Sequence, residues 1–215
     1  MPLQVNEIFY SIQGESTYAG QRCVFVRLTG CNLRCTFCDT TYAYDEGQIM
    51  EIGDIFDRIS PYKCHLVEIT GGEPLIQFET PILIQSLLED GYGVLLETNG
   101  TVDISQVDER CAKIVDVKCP SSGMSDKNDL ENLNRLTEKD ELKFVIGNRE
   151  DFDYAKRILG YVDVRLKEII SANFSPIFGV IEPKMLAEWI LEDHLDVRLH
   201  LQLHKYIWGP EVRGV

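Results

Sequence analysis

The chain has 215 residues, 44% hydrophobic and 26% charged, which describes a folded domain rather than a disordered segment. Asp and Glu outnumber Lys and Arg by 35 to 21, and the formal charge of −14 repels a phosphate backbone, which sets direct nucleic-acid binding aside. No apolar run approaches the roughly 20 residues that span a bilayer, and residues 1–10 carry no basic cluster ahead of an apolar core. Neither a membrane span nor a secretory signal is expected, and the reading is a cytoplasmic protein acting on a small molecule or a protein.

In chain order, the first feature is residues 6–16, where Gln13 and Glu15 flank Gly14. These offer amide and carboxylate edges to a heterocycle, or form a surface turn. Residues 23–28 read as a buried strand, followed at once by Cys31, Cys35 and Cys38 in the spacing CxxxCxxC. The seven cysteines are odd in number and three lie within eight residues, which speaks for metal or cluster ligation over a disulfide framework. Three thiolates on one loop suit three corners of a 4Fe–4S cube with one iron left open. The alternative is zinc, which wants four ligands, with Cys23 or Cys64 as the fourth.

Ile52–Ile59 sets Ile52, Ile55, Phe56 and Ile59 on one helical face, and a strand follows over residues 66–70. Thr70-Gly71-Gly72-Glu73-Pro74 then brings paired glycines, which let backbone approach a ligand, and Glu73, an acceptor for an ammonium. A helix over Thr80–Glu89 stops at Gly91, and a strand over residues 93–97 leads into Thr98-Asn99-Gly100, where Asn99 is either a turn cap or a ligand contact. Further strands are expected over residues 114–117, 142–146, 164–170 and 197–203. Helices are expected over residues 152–159 and 184–191, and a polar excursion or lid over 121–140. Alternating strand and helix argues for parallel βα units in one domain over residues 1–215, with functional residues at the carboxyl ends of the strands.

CxxxCxxC after the first parallel strand, with Phe37 before the last cysteine, resembles the radical S-adenosylmethionine (SAM) superfamily. The segment at Gly71–Gly72 resembles the part of that superfamily that holds the SAM amino group. The residues Gln13-Gly14-Glu15, Arg27, Cys38-Asp39-Thr40 and Gln202-Leu203-His204-Lys205 narrow the resemblance, over almost the whole chain, to the 7-carboxy-7-deazaguanine synthase family. The resemblance implies an α/β fold, a partial (β6/α3) TIM-like barrel of the radical SAM type. It implies a lyase that converts 6-carboxy-5,6,7,8-tetrahydropterin to 7-carboxy-7-deazaguanine with loss of ammonia, on the route to queuosine and other 7-deazapurines. It further implies a 4Fe–4S cluster, SAM and Mg2+, an electron donor such as flavodoxin or ferredoxin, and a homodimer.

By matched position, Cys31, Cys35 and Cys38 hold the cluster and Thr40 binds Mg2+. Phe37, Asp39, Gly72, Lys118, Cys119 and Pro120 contact SAM, as do Ser171, Ala172 and Asn173 after the sixth strand. Ile12, Gln13, Gly14, Arg27, Thr70 and His204 contact substrate, the Arg27 fork suiting a carboxylate. No side chain is assigned as the catalytic group, because the radical arises at cluster-bound SAM. Two positions depart from the family: Ser16 stands where a second glycine is common, and the chain continues past Pro210. The competing readings are an activase of glycyl-radical enzymes and a non-enzymatic zinc or iron–sulfur module.

Overall fold

The computed structural model describes residues 2–167 and 169–215. Along the chain the strands and helices are β1 (Leu3–Ile12), β2 (Arg22–Leu28), β3 (Gln48–Met50), α1 (Ile52–Ile59), β4 (Leu66–Gly71), α2 (Thr80–Glu89), β5 (Gly93–Thr98) and β6 (Ala112–Asp116). There follow β7 (Glu141–Ile146), α3 (Arg149–Tyr161), α4 (Val164–Lys167), β8 (Ser171–Pro176), α5 (Pro183–Glu192), β9 (Arg198–Leu199) and α6 (Leu203–Ile207). The strands form one sheet in the order β3-β1-β2-β4-β5-β6-β7-β8-β9. β1 runs antiparallel to β2 and β3, and every pairing from β2 to β9 is parallel.

Helices α1, α2 and α3 cover the crossovers β2–β4, β4–β5 and β7–β8, whereas short 3-10 turns bridge β5–β6 and β6–β7. Apart from the two-residue edge strand β9 and the single turn α4, the six parallel strands β2 and β4–β8 with the three crossover helices α1–α3 are the expected (β6/α3) pattern. β3 and β9 remain the two edges of the sheet, so the barrel is open.

Side chains alternate across each strand, and this sorts core from site. Val24, Val26, Leu28, Leu142, Phe144 and Ile146 point outward into a core shared with Ile55, Leu83, Leu87, Phe152 and Leu186. Phe144 and Phe152 both set their edges against Phe174, with ring centroids 5.4 and 5.7 Å apart. The intervening residues Phe25, Arg27, Glu68, Thr70, Glu97 and Lys143 line the barrel interior.

Three expectations change. β1 is a full strand where the sequence was read only as a motif-bearing segment, and Leu3 and Val5 anchor it in the core with no exposure. The strand expected over residues 164–170 includes Glu168, which lies outside the described residues. Val164–Lys167 is a helical turn instead, opened by the Asp163 side chain accepting from the Arg165 amide at 2.8 Å. Leu166 and Ile170, four apart, pack on the core with a helical spacing, and the strand begins only at Ser171. The strand over 197–203 shrinks to Arg198–Leu199, because the chain turns inward at His200 and starts α6 at Leu203.

Candidate active site

A cavity of about 710 Å3 fills the barrel interior and opens at the carboxyl ends of the strands, within the size range of small-molecule sites. Its roof is the cysteine loop. Leu28 ends β2, Gly30 takes φ 97°, and the loop carries Cys31, Cys35 and Cys38 into the cavity as free thiols. Burial pushes the Cys31 and Cys35 thiols up, and the Lys118 ammonium opposes it. The Leu33 amide donates to Cys31 Sγ at 3.4 Å and Asn99 Nδ2 to the same sulfur at 3.9 Å, donors suited to a cluster thiolate. Among the described residues no three Cys, His, Asp or Glu side chains converge on one point as the ligands of a single ion do. Three soft thiol donors on one loop, facing one cavity, are the donor set that a 4Fe–4S cluster takes.

The glycines of the second motif act by close approach. A Cβ on Gly72 would lie 2.2 Å from Gly30 O and 2.5 Å from Cys31 Cβ, so β4 can press on the cysteine loop only without a side chain. Glu73 departs from expectation. It has no solvent exposure, and its carboxylate accepts from the Asn99 amide (2.6 Å), Thr98 Oγ1 (2.8 Å) and the Leu75 amide (3.0 Å). Its lone pairs are spent on pinning the next loop, not on facing a ligand. Asn99 is the turn cap that the sequence offered as one of its two readings. Its Oδ1 caps Thr101, and its Nδ2 reaches Cys31 Sγ at the cavity wall.

Lys118 lines the cavity 2.7 Å from Asp116 Oδ2. Burial works against its charge, but Asp116 and Cys35 more than offset that and hold its pKa up. Cys119, by contrast, is 1% exposed and belongs to the core, so no side-chain atom of it reaches the cavity. The turn Pro120–Ser122 braces the roof instead: Thr36 Oγ1 donates to Ser121 O at 2.6 Å and the Thr36 amide to Ser122 O at 3.1 Å. Ser171, Ala172 and Asn173 lie in the first half of β8, not after a strand. Ser171 pairs with Glu141, where β7 begins, and Asn173 Nδ2 donates to Glu141 Oε2 at 2.7 Å. This is the end of the barrel opposite the cysteines. Ile177 and Phe178, just past β8, line the cavity in their place. The misplacement follows directly from the misread strand over residues 164–170.

The floor comes from the N-terminal segment. Because β1 is antiparallel, with Ile12 opposite Arg22, residues 13–21 turn beneath the amino ends of the parallel strands. Tyr18 packs there on Leu95, Ala112 and Ile114 and closes the barrel from below. Gln13 and Glu15 point up: Gln13 Nε2 donates to Glu68, and Glu15 pairs with the Lys143 ammonium, which also meets Glu97 Oε1 at 2.6 Å. Burial raises the Glu15 carboxyl, but Lys143 outweighs it and holds the group well below the usual carboxylate range. Ser16 takes φ 62°, the left-handed conformation that explains why glycine is common there. Its amide donates to His200 Nε2 at 3.1 Å.

The segment 202–205 ties floor to roof. Gln202 Nε2 donates to Glu15 Oε1 at 2.7 Å, the Leu203 amide to Gly14 O at 3.0 Å, and Lys205 Nζ meets Asp39 Oδ2 at 2.6 Å. His204 sits against Gly14, where a Cβ would fall 2.5 Å from His204 Nδ1. Arg27 enters from β2 with Nε 2.8 Å from Glu7 Oε1, beneath the Tyr42 ring. Thr40 faces the cavity and donates from Oγ1 to Asp39 Oδ1 at 3.0 Å.

Ile12, Gln13, Gly14, Arg27, Thr70 and His204 thus share one cavity with the cysteines, Phe37, Asp39, Thr40, Gly72 and Lys118. Cys119, Pro120 and residues 171–173 do not line it. Sequence reasoning missed Glu68, Glu97 and Lys143. A signal was there, since each of the three is a charged residue in an otherwise apolar parallel strand, but it does not select the cavity by itself: Lys113 in β6 is such a residue too and pairs with Asp140 away from the cavity.

Residues 25–162 match the family model of the radical SAM superfamily. A 7-carboxy-7-deazaguanine synthase of Chlorobaculum tepidum is 46% identical, over all of this chain and 98% of its own. The one of Koribacter versatilis is 44% identical over 99% of this chain and all of its own. QueE from Escherichia coli, a crystal structure, shares the fold with a TM-score of 0.78 at 23% identity, over 94% of each chain.

Proposed function

The chain belongs to the radical SAM superfamily and, within it, to the 7-carboxy-7-deazaguanine synthases, and from that membership we propose a residue-level account of how it makes 7-carboxy-7-deazaguanine from 6-carboxy-5,6,7,8-tetrahydropterin. The observation that carries it is that the cysteine loop, Arg27 and the polar floor face one cavity of ligand size. Cys31, Cys35 and Cys38 would hold a 4Fe–4S cluster, which together with SAM would supply the radical chemistry of hydrogen abstraction.

The chain's own residues bind and aim the substrate. Phe37, Asp39, Gly72 and Lys118 hold SAM beneath the roof. Arg27, whose Nε alone is taken by Glu7, turns the rest of its fork to the substrate carboxylate. Thr40 would offer a hydroxyl oxygen to a Mg2+ ion, which would supply further positive charge for the substrate carboxylate. With the carboxylate so fixed, C6 would be held towards the cysteine loop and the ring would extend down towards Thr70, Gln13 and His204. Burial pulls His204 below its ordinary pKa, so it meets the substrate as a neutral imidazole, donor on one nitrogen and acceptor on the other. The floor loop and the segment 202–205 favour a small substrate over a polypeptide, which weighs against an activase. The same reading includes one catalytic domain, a homodimer and an electron donor such as flavodoxin or ferredoxin.

The test is anaerobic turnover of the reconstituted protein with SAM, reductant, Mg2+ and the carboxypterin deuterated at C6, followed by mass spectrometry. Product should form, and deuterium should appear in 5′-deoxyadenosine or SAM. Label that stays in the product, or goes only to solvent, overturns the assignment of C6.

A further inference from the structure

The cavity floor is chemically unbalanced. Glu15, Glu68 and Glu97 face one another across the barrel with a single ammonium, Lys143, among them. Glu15 is satisfied by Lys143 and by Gln202. Glu68 accepts from Gln13 and keeps 3% exposure, and Glu97 meets Lys143 with one oxygen while 21% of its side chain opens to the cavity. Three carboxyls gathered around one cation, away from bulk water, are an acceptor surface in want of donors. The fold draws little on this surplus of charge, since Glu97 ties no loop and caps no helix, and Glu68 holds only the Gln13 amide of the floor loop.

On the reading above, the carboxylated end of the substrate is held near Arg27 and the roof, so its far ring meets this floor. That ring is a 2-amino-4-oxopyrimidine, whose N3–H and 2-amino group form an adjacent pair of donors like two arms of a guanidinium. We propose that Glu68 and Glu97 are specificity-determining residues, accepting the N3–H and 2-amino edge of the substrate ring, with Lys143 and Gln13 holding the two carboxyls in place. The electrostatics agree. Burial lifts the Glu97 carboxyl to about 7 against the pull of Lys143, and burial with the neighbouring Glu97 and Glu15 charges lifts Glu68 above its ordinary range despite Lys143 and Arg27. Donors brought by a ligand favour the charged carboxylate, so ligand binding near neutral pH should release protons.

The experiment is equilibrium binding to the SAM-loaded, cluster-reconstituted enzyme without reductant. The probes are 6-carboxypterin and 6-carboxylumazine, which differ in having an amino or an oxo group at position 2, and fluorescence quenching reports binding. The lumazine keeps N3–H but turns the neighbouring 2-amino donor into an oxo acceptor facing a carboxylate, so it should bind at least about 30-fold more weakly. Glu97→Gln and Glu68→Gln, each isosteric, should cut that ratio to below about threefold, and calorimetry in buffers of different ionisation enthalpy should show the proton release fall in Glu97→Gln. Equal binding of the two ligands by the wild type, or ratios unchanged in both variants, overturns the inference and leaves the reaction assignment standing. Failure of the wild type to bind 6-carboxypterin at all would sink the functional reading itself. If one variant does not fold, the other and the wild-type ratio still decide.

Discussion

One methyl group at Gly72 is expected to dismantle the roof of the site before it unfolds the protein. An alanine Cβ there would stand 2.2 Å from Gly30 O and 2.5 Å from Cys31 Cβ, and ordinary contact begins at 3.4 Å. The cysteine loop must therefore retreat by about 1 Å, and neither neighbour is the free end of a flexible side chain. The oxygen it strikes also accepts from the Glu73 amide at 2.8 Å, so that bond is lost as well. Overpacking of this kind costs about 1–3 kcal/mol and the bond about 1 kcal/mol. The sum of about 2–4 kcal/mol lowers Tm by roughly 5–15 °C in a chain of this size. The strain falls on the backbone that carries Cys31, so iron incorporation on anaerobic reconstitution should drop several-fold while the circular dichroism of the barrel persists. Gly53→Ala in α1 is the control: nothing lies within 4 Å of its Cβ, and the helix should gain up to about 1 kcal/mol. Wild-type iron content and Tm in Gly72→Ala would refute the close-approach argument.

The remaining expectations concern other parts of the chain. Cys23, Cys64 and Cys111 are buried in strands or at a strand entrance away from the cavity, so each changed to Ala should keep the iron–sulfur absorbance, whereas Cys31, Cys35 or Cys38 to Ala should abolish it. At Ser16, held at φ 62°, glycine should be tolerated to within about 1 kcal/mol because relief of strain offsets the lost bond from the Tyr18 amide to Ser16 Oγ. Valine there should cost about 2 kcal/mol or more in chemical denaturation, and equal stability of the two variants would rule out a left-handed requirement. His200 is buried and accepts from the Ser16 amide, and burial lowers its pKa. Below pH 6.5 the unfolded chain therefore takes up a proton that the folded chain resists, so this contribution to stability is lost as pH falls towards the folded-state value. Wild type should lose more Tm between pH 7.5 and 5.5 than His200→Gln, and parallel curves would remove His200 as the cause.

What could be read from the chain is what short-range chemistry encodes. Strand and helix alternation, the helices Ile52–Ile59 and Thr80–Glu89, and the thiolate spacing of Cys31, Cys35 and Cys38 are each written within a few residues of one another. So was the rule that the cysteine, Gly71–Gly72 and Asn99 loops follow strands. The resemblance carried over Arg27, Gln13 and His204 without saying how they meet.

Only the tertiary structure decided the rest, because it depends on direction and register. Residues 164–170 hold β-branched and apolar residues enough for a strand, but Asp163 caps a helical turn there, and the strand's later start, at Ser171, moves the expected SAM contact to the wrong end of the barrel. The antiparallel course of β1 sends Gln13 and Glu15 below the sheet, far from the cysteines in chain logic yet opposite them across one cavity. Glu73 reads as a ligand acceptor until Thr98 and Asn99, 25 and 26 residues on, claim its carboxylate. Sequence determined which groups this protein owns and the local geometry that spaces three thiolates. Which carboxylates are spent on the fold and which face the cavity was settled by long-range strand pairing, since a lone pair already bound to the fold is withdrawn from the ligand.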